Sequence, residues 1–167
     1  YFSRGGNTKK LAEAIAEGLN ISAEDVKKAR LRSESDMVFL GSGCYGGKPG
    51  KEMMEFINEN DLEGQDVALF GTSGGGKGDE LKDMRDALKT KGADIKGKFY
   101  CKGQTFWLIN HGRPDREDLK RAEEFAEDIT NSVSYVSILA VPLFFGALAI
   151  PKPLVVTAFE SQYAEAA

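Results

Sequence analysis

The sequence predicts an α/β domain built on a parallel sheet, and three observations carry that prediction. Two short, continuous apolar runs, Met37-Val38-Phe39-Leu40 and Val67-Ala68-Leu69-Phe70, read as strands buried on both faces. Amphipathic stretches with apolar residues three or four apart alternate with them, as helices returning the chain to the starting edge of a sheet would. Each strand runs straight into a glycine-rich turn, Gly41 to Gly50 after the first and Gly71 to Gly78 after the second.

The elements follow in order. Tyr1, Phe2 and Ser3 read as the end of a strand that enters the turn SRGGNT. Leu11, Ile15 and Leu19, with Ala12 and Ala16 beside them, form one helical stripe that Gly18 and Asn20 terminate. The stretch from Ile21 to Leu31 is at best a short strand. Met53, Phe56 and Ile57 stripe the helix between the two apolar runs, and Leu81, Met84 and Leu88 stripe the one after the second. Phe99 to Cys101 and Thr105 to Ile109 are expected as two parts of a further strand. Asp115 then caps a helix striped by Leu119, Ala122, Ala126 and Ile129.

With 167 residues, 41% of them hydrophobic, the chain can bury one substantial core and suits one domain. A formal charge of −4 with acids and bases interspersed argues against a nucleic-acid partner and gives a mild preference for basic partners. The two cysteines, Cys44 and Cys101, lack CxxC or Cys/His spacing, so neither zinc nor a disulfide framework is indicated, and a reducing cytoplasmic setting is expected. The opening has no initiator Met, charged leader or apolar h-region, and reads as a cut chain rather than a signal peptide.

The chemistry concentrates in the three glycine-rich loops, which a parallel sheet brings together at its carboxyl edge, the ligand-binding edge of open α/β sheets. In SRGGNT the glycines admit close approach, Ser3, Asn7 and Thr8 supply donors, and the following helix points free N–H groups outward. That is an anion site suited to phosphate. It lacks the GK[ST] ending needed to handle a nucleoside triphosphate. Gly41-Ser42-Gly43-Cys44-Tyr45-Gly46 satisfies GxGxxG, but Gly47-Lys48-Pro49-Gly50 postpones the helix that a dinucleotide site requires. What remains is a long exposed loop with Tyr45 near its tip, placed to stack on a flat ligand or to be an ordinary surface tyrosine. Gly71 to Gly78 matches both GxSxG and GxxxxGK. Gly78 stands where a magnesium-binding Ser or Thr belongs, and the flexible run after Ser73 does not build a nucleophile elbow with the sole histidine, His111. Hydrolase and NTPase readings are both disfavoured.

In these loops the chain resembles the flavodoxin family. SRGGNT resembles that family's [ST]xTGNT phosphate loop with Gly5 in place of the second Thr; GSGCYGGKPGKEMMEFI and FGTSGGGKGDEL resemble its two flavin-flanking loops. The resemblance spans roughly residues 1 to 130 and implies a doubly wound parallel sheet in three α/β/α layers, with a truncated first strand. It assigns Ser3, Gly5, Gly6, Asn7 and Thr8 to the phosphate of flavin mononucleotide (FMN) and places Tyr45 against the isoalloxazine. Gly46 and Gly47 would supply the peptide that turns to accept a hydrogen bond from the reduced flavin's N5. Thr72, Ser73, Gly74 and Gly75 would line its other edge.

The implied function is electron transfer between redox partner proteins, preferred over an FMN-dependent NAD(P)H or quinone reductase because the sequence offers no acid/base pair or metal site. No catalytic residue is assigned. Cys44 is expected beneath a loop, Cys101 in the core and His111 in a surface turn. Residues 131–167 form an atypical apolar tail. Tyr135 to Ile150 is interrupted by Pro142 and Gly146, so membrane contact is the less favoured reading. Leu154 to Phe159 has strand composition and is a candidate for the vacated inner strand position.

Overall fold

The computed structural model describes residues 1–31, 37–105 and 109–149, with backbone alone beyond residue 133. The chain divides into two units, Tyr1–Thr130 and Asn131–Ala167, and the account of packing below concerns the first. Its elements are α1 (Asn7–Gly18), β1 (Met37–Gly43), α2 (Lys51–Glu59), β2 (Asp66–Ser73), α3 (Glu80–Thr90), β3 (Asp94–Lys102) and α4 (Arg116–Ala149).

The strands are parallel in the order β1-β2-β3, with Val38 opposite Val67 and Phe70 opposite Phe99. The apolar runs form strands because both sheet faces are covered. On one face Leu11, Ala12 and Ile15 of α1 pack with Phe70, Phe99 and Cys101 and with Ala122 and Ala126 of α4. On the other, Met53 and Ile57 of α2 and Leu81, Met84 and Leu88 of α3 pack on Leu40, Val67 and Leu69. This is the three-layer α/β/α arrangement the sequence predicts, with successive β2 side chains feeding opposite layers.

The opening residues hold an inner position as a stub. Phe2 N–H donates to Gly41 O at 2.8 Å, and Gly43 N–H to Phe2 O at 3.3 Å, a parallel bridge on the free side of β1. On the stub's other side Val26 N–H donates to Tyr1 O at 2.9 Å, so the Ile21–Leu31 segment pairs through only a few residues. Phe2 is buried against Gly50, where an added Cβ would stand 2.0 Å from its ring.

Two expectations are corrected. β3 ends at Lys102, and Thr105 and Ile109 bond to each other antiparallel, so they close a loop instead of extending the strand. The helix capped by Asp115, whose Oδ1 accepts the N–H groups of Glu117 and Asp118, runs well past Ile129 to Ala149. Among the described residues no helix is long and apolar enough to cross a membrane. The suggested strand at Leu154 to Phe159 lies outside the described residues.

Candidate functional site

The loops that follow Phe2, β1, β2 and β3 meet at the carboxyl edge of the sheet around a cavity of about 390 Å³. Ser3, Gly5, Asn7 and Thr8 line it from the first loop; Gly43, Cys44, Tyr45 and Gly46 from the second; Thr72, Ser73 and Gly74 from the third. Gly6, Gly47 and Gly75 are in the same loops but not on the cavity wall. A fourth loop contributes Gly103, Gln104 and Thr105, which sequence reasoning missed. Their signal was there to read: Gly103 follows the apolar residues of β3 as Gly41 and Gly71 close the other two runs.

The first loop is built to expose amides. Gly6 is the N-cap of α1 at φ +82°, a left-handed conformation that glycine adopts freely, and offers no capping side chain. A Cβ added at Gly5 or Gly6 would meet nothing within 4 Å, so the loop's backbone borders open space. The first turn of α1 holds no acid and carries Lys9 and Lys10 instead. Its positive dipole end is therefore uncompensated from within the helix. Side-chain bonds hold the loop in place: Asn7 Nδ2 donates to Gln104 O at 2.8 Å, and the buried hydroxyls of Thr8 and Thr72 pair at 2.8 Å.

The second loop differs from the long exposed loop with Tyr45 near its tip that the sequence suggests. Gly46 and Gly47 take φ +64° and +83°, the two central residues of a tight turn closed by Tyr45 N–H to Lys48 O at 2.7 Å. Its tip is the Gly-Gly pair, and Tyr45 stands at the base, half-buried and turned inward. The Tyr45 hydroxyl accepts the Arg4 N–H at 2.8 Å, and the Arg4 guanidinium lies 4.6 Å from the ring centroid. Phe2 packs edge-on at 5.7 Å. Below, Ser42 Oγ accepts the Gly50 N–H at 2.9 Å, and Cys44 N–H donates to Thr72 O at 2.9 Å, which ties the loop to β2.

In the third loop Ser73 Oγ accepts the Gly76 N–H at 3.0 Å, while Gly103 N–H donates to Ser73 O at 2.9 Å. Asn110 Nδ2 reaches Gly74 O at 2.8 Å, and His111 lies exposed on the turn beyond it. Ser73 is thus a turn-forming residue, and nothing in this geometry prepares it as a nucleophile.

Among the described residues the wall of the cavity mixes apolar surface with amides and hydroxyls and carries no carboxylate, ammonium, guanidinium or imidazole group. Burial raises the Cys44 thiol and the Tyr45 phenol above their ordinary ranges, and pushes Cys101 up to about 12, so all three stay protonated at neutral pH. Beneath the site Glu80 is fully buried with neither carboxylate oxygen bonded, and burial, then Asp79, raises its pKa. Such an arrangement can bind a planar ligand through amides, hydroxyls and carbonyls and hold a phosphate at α1. It offers no side-chain base for proton abstraction.

Residues 1–107 match the flavodoxin domain family. The chain is 34% identical to an uncharacterized protein of Methanocaldococcus jannaschii over 134 residues, covering 74% of this chain and 89% of that one. It is 32% identical to the flavodoxin of Clostridium beijerinckii over 142 residues, 78% of this chain and 96% of the other. An archaeal flavodoxin structure superposes with a TM-score of 0.64 at 22% identity, covering 80% of this chain and 95% of its own.

Proposed function

This chain belongs to the flavodoxin family, and from that premise we propose that residues 1–130 form an FMN-binding domain that shuttles single electrons between redox partner proteins. The observation that carries the proposal is the N-terminus of α1. It ends in bare glycine amides, holds no acid in its first turn and opens on a cavity with no charged wall residue.

The residues present fit the cofactor. Ser3, Gly5, Gly6, Asn7 and Thr8 would hold the phosphate with backbone N–H groups and hydroxyls, and the space beside Gly5 and Gly6 is open to its oxygens. Tyr45 and Gly46 would border the flavin ring on one side, with Gly47 behind them in the same turn, and Thr72, Ser73 and Gly74 on the other, with Gly75 next along the loop. Gln104 and Thr105 add a polar edge. When bound, the flavin supplies one-electron redox chemistry, which the protein tunes without entering the reaction. The chain's own part is to orient the ring, exclude water with Tyr45 and present neutral backbone dipoles.

The wall's Cys44 and Tyr45 are both held protonated, which suits a carrier better than a reductase, whose proton transfers call for a group that titrates near neutral pH. The free thiols Cys44 and Cys101 fit a reducing cytoplasm. Residues 131–167 are an appended segment outside this assignment.

Titration of flavin fluorescence tests the reading. FMN should bind with quenching, and riboflavin, which lacks the phosphate, should bind far more weakly. Absence of binding by either to the folded protein sinks the proposal. Steady NADPH oxidation by the purified protein with a quinone would favour the reductase instead.

A further inference from the structure

The chain's net charge of −4 points toward basic partners, but its charges are not spread evenly with respect to the site. The loops around the cavity, residues 3–8, 43–50, 73–79 and 102–115, contain Arg4, Lys48, Lys77, Lys102 and Arg113 against Asp79 and Asp115. Both acids are engaged. Asp79 lies 3.5 Å from Lys82, and Asp115 lies 3.2 Å from Arg113, which also holds Asp118 at 2.7 Å.

Arg4, Lys48, Lys77 and Lys102 are all exposed, and among the described residues none of them stands in an ion pair. Each lies within two residues of the cavity wall or of the glycines beside it: Arg4 between Ser3 and Gly5, Lys48 two past Gly46, Lys77 next to Gly76, Lys102 next to Gly103. Arg4 also stacks on Tyr45. At the opposite edge Glu59, Asp61 and Glu63 are exposed before β2, while Asp66 and Asp94, which open β2 and β3, are both paired with Lys96. Like charges clustered without counterions repel one another, and a partner of opposite sign relieves that repulsion while steering encounter to the cluster. Ile109, bonded to the wall residue Thr105, is 54% exposed and gives the rim an apolar contact besides its charges, the anatomy of a protein interface more than of a nucleic-acid track.

We propose that this rim docks an acidic redox protein whose surface carboxylates meet Arg4, Lys48, Lys77 and Lys102 and bring its redox centre to the cavity mouth. The inference rests on the electron-carrier reading above. The step it serves moves one electron between the flavin and the partner's centre; the donor is oxidised, the acceptor reduced, and no bond forms.

Binding of the full chain to an acidic ferredoxin and to basic cytochrome c, by calorimetry at low and high salt, tests it. Ferredoxin should bind at least about tenfold more tightly at low salt, and the preference should collapse as ionic strength rises to about 0.3 M. Combined K48E, K77E and K102E changes should reverse the preference, and the milder K48Q, K77Q and K102Q set should weaken it. Reversing Arg85, Lys89 and Lys98, outside these loops, should leave it intact. Preference for cytochrome c, an unchanged triple variant, or tighter binding of a single-stranded oligonucleotide than of ferredoxin overturns the proposal. FMN fluorescence on the same samples separates the two claims. Ferredoxin docking without FMN binding sinks the cofactor reading alone, and FMN binding without ferredoxin preference sinks the docking surface alone.

Discussion

The N-termini of α1 and α3 lie at the same edge of the sheet, each after a glycine-rich turn, and the chain finishes them in opposite ways. α3 brings its own negative charge: Asp79 precedes it, and Glu80 and Asp83 stand in its first turn. α1 has Gly6 as its cap, no acid in the first turn and two lysines there. The helix dipoles are alike in kind, so the difference lies in what is offered to them. α3 carries its own acids in Asp79 and Asp83, while its Glu80 is buried with neither carboxylate oxygen bonded. α1 carries no such charge, and that withheld acid is what the proposed anion site rests on.

The largest expected effect comes from making α1 resemble α3. A Gly5→Asp change fits the open space at that position and places a carboxylate in the anion loop. FMN affinity should fall about 100-fold or more, roughly 3 kcal/mol, in a fluorescence titration, with little change in the melting of the free protein. An unaltered affinity would break the comparison.

Next is the tie between the first loop and β2. Thr8→Val leaves the buried Thr72 hydroxyl without its 2.8 Å partner, and should destabilise the fold by about 1–3 kcal/mol in urea denaturation.

Glu80→Gln sharpens the α3 side. Burial raises the Glu80 pKa in the folded state, so the fold holds that proton more tightly than the unfolded chain does. Its contribution to stability is therefore complete below the ordinary carboxylate pKa and is lost as pH rises through the raised folded value. The variant should melt above the parent at about pH 8, by the equivalent of about 1–2 kcal/mol, and lose that advantage near pH 4. Parallel melting curves across this range would acquit Glu80.

The smallest effect belongs to Tyr45→Phe, which keeps the ring on Phe2 and Arg4 but removes the acceptor for the Arg4 amide. About 1 kcal/mol of stability in the free protein should go with it. A shift in the urea midpoint without a change of slope would show this, and a midpoint that stays put would mean the bond contributes nothing.

Much of this site was legible in the sequence, because a parallel sheet delivers the loop after every strand to one edge. That Ser3, Gly5, Asn7 and Thr8, Gly43 to Gly46 and Thr72 to Gly74 line one cavity needed only the positions of the strands. The direction of Tyr45 was not legible. It depends on both Gly46 and Gly47 turning at positive φ, which makes them the tip and folds the tyrosine onto Arg4. The fourth loop was lost because Thr105 and Ile109 have strand composition, and composition does not tell a strand residue from a bridge that closes a loop.

The sequence by itself determined the class of fold, the two-sided burial of β2 and the withheld acid at α1, since apolar runs, helical spacing and cap chemistry are local properties. Tertiary structure decided the rest. A bulge between Val67 and Ala68 of β2 and their β3 partners leaves Lys96 unpaired in the register, which sends Ile95 and Phe99 to opposite faces although alternation would put them on the same one. The same is true of the charges. Acids and bases are interspersed along the chain, and only the winding of the sheet gathers Arg4, Lys48, Lys77 and Lys102 around one cavity, because residues far apart in sequence share an edge when the strands run parallel.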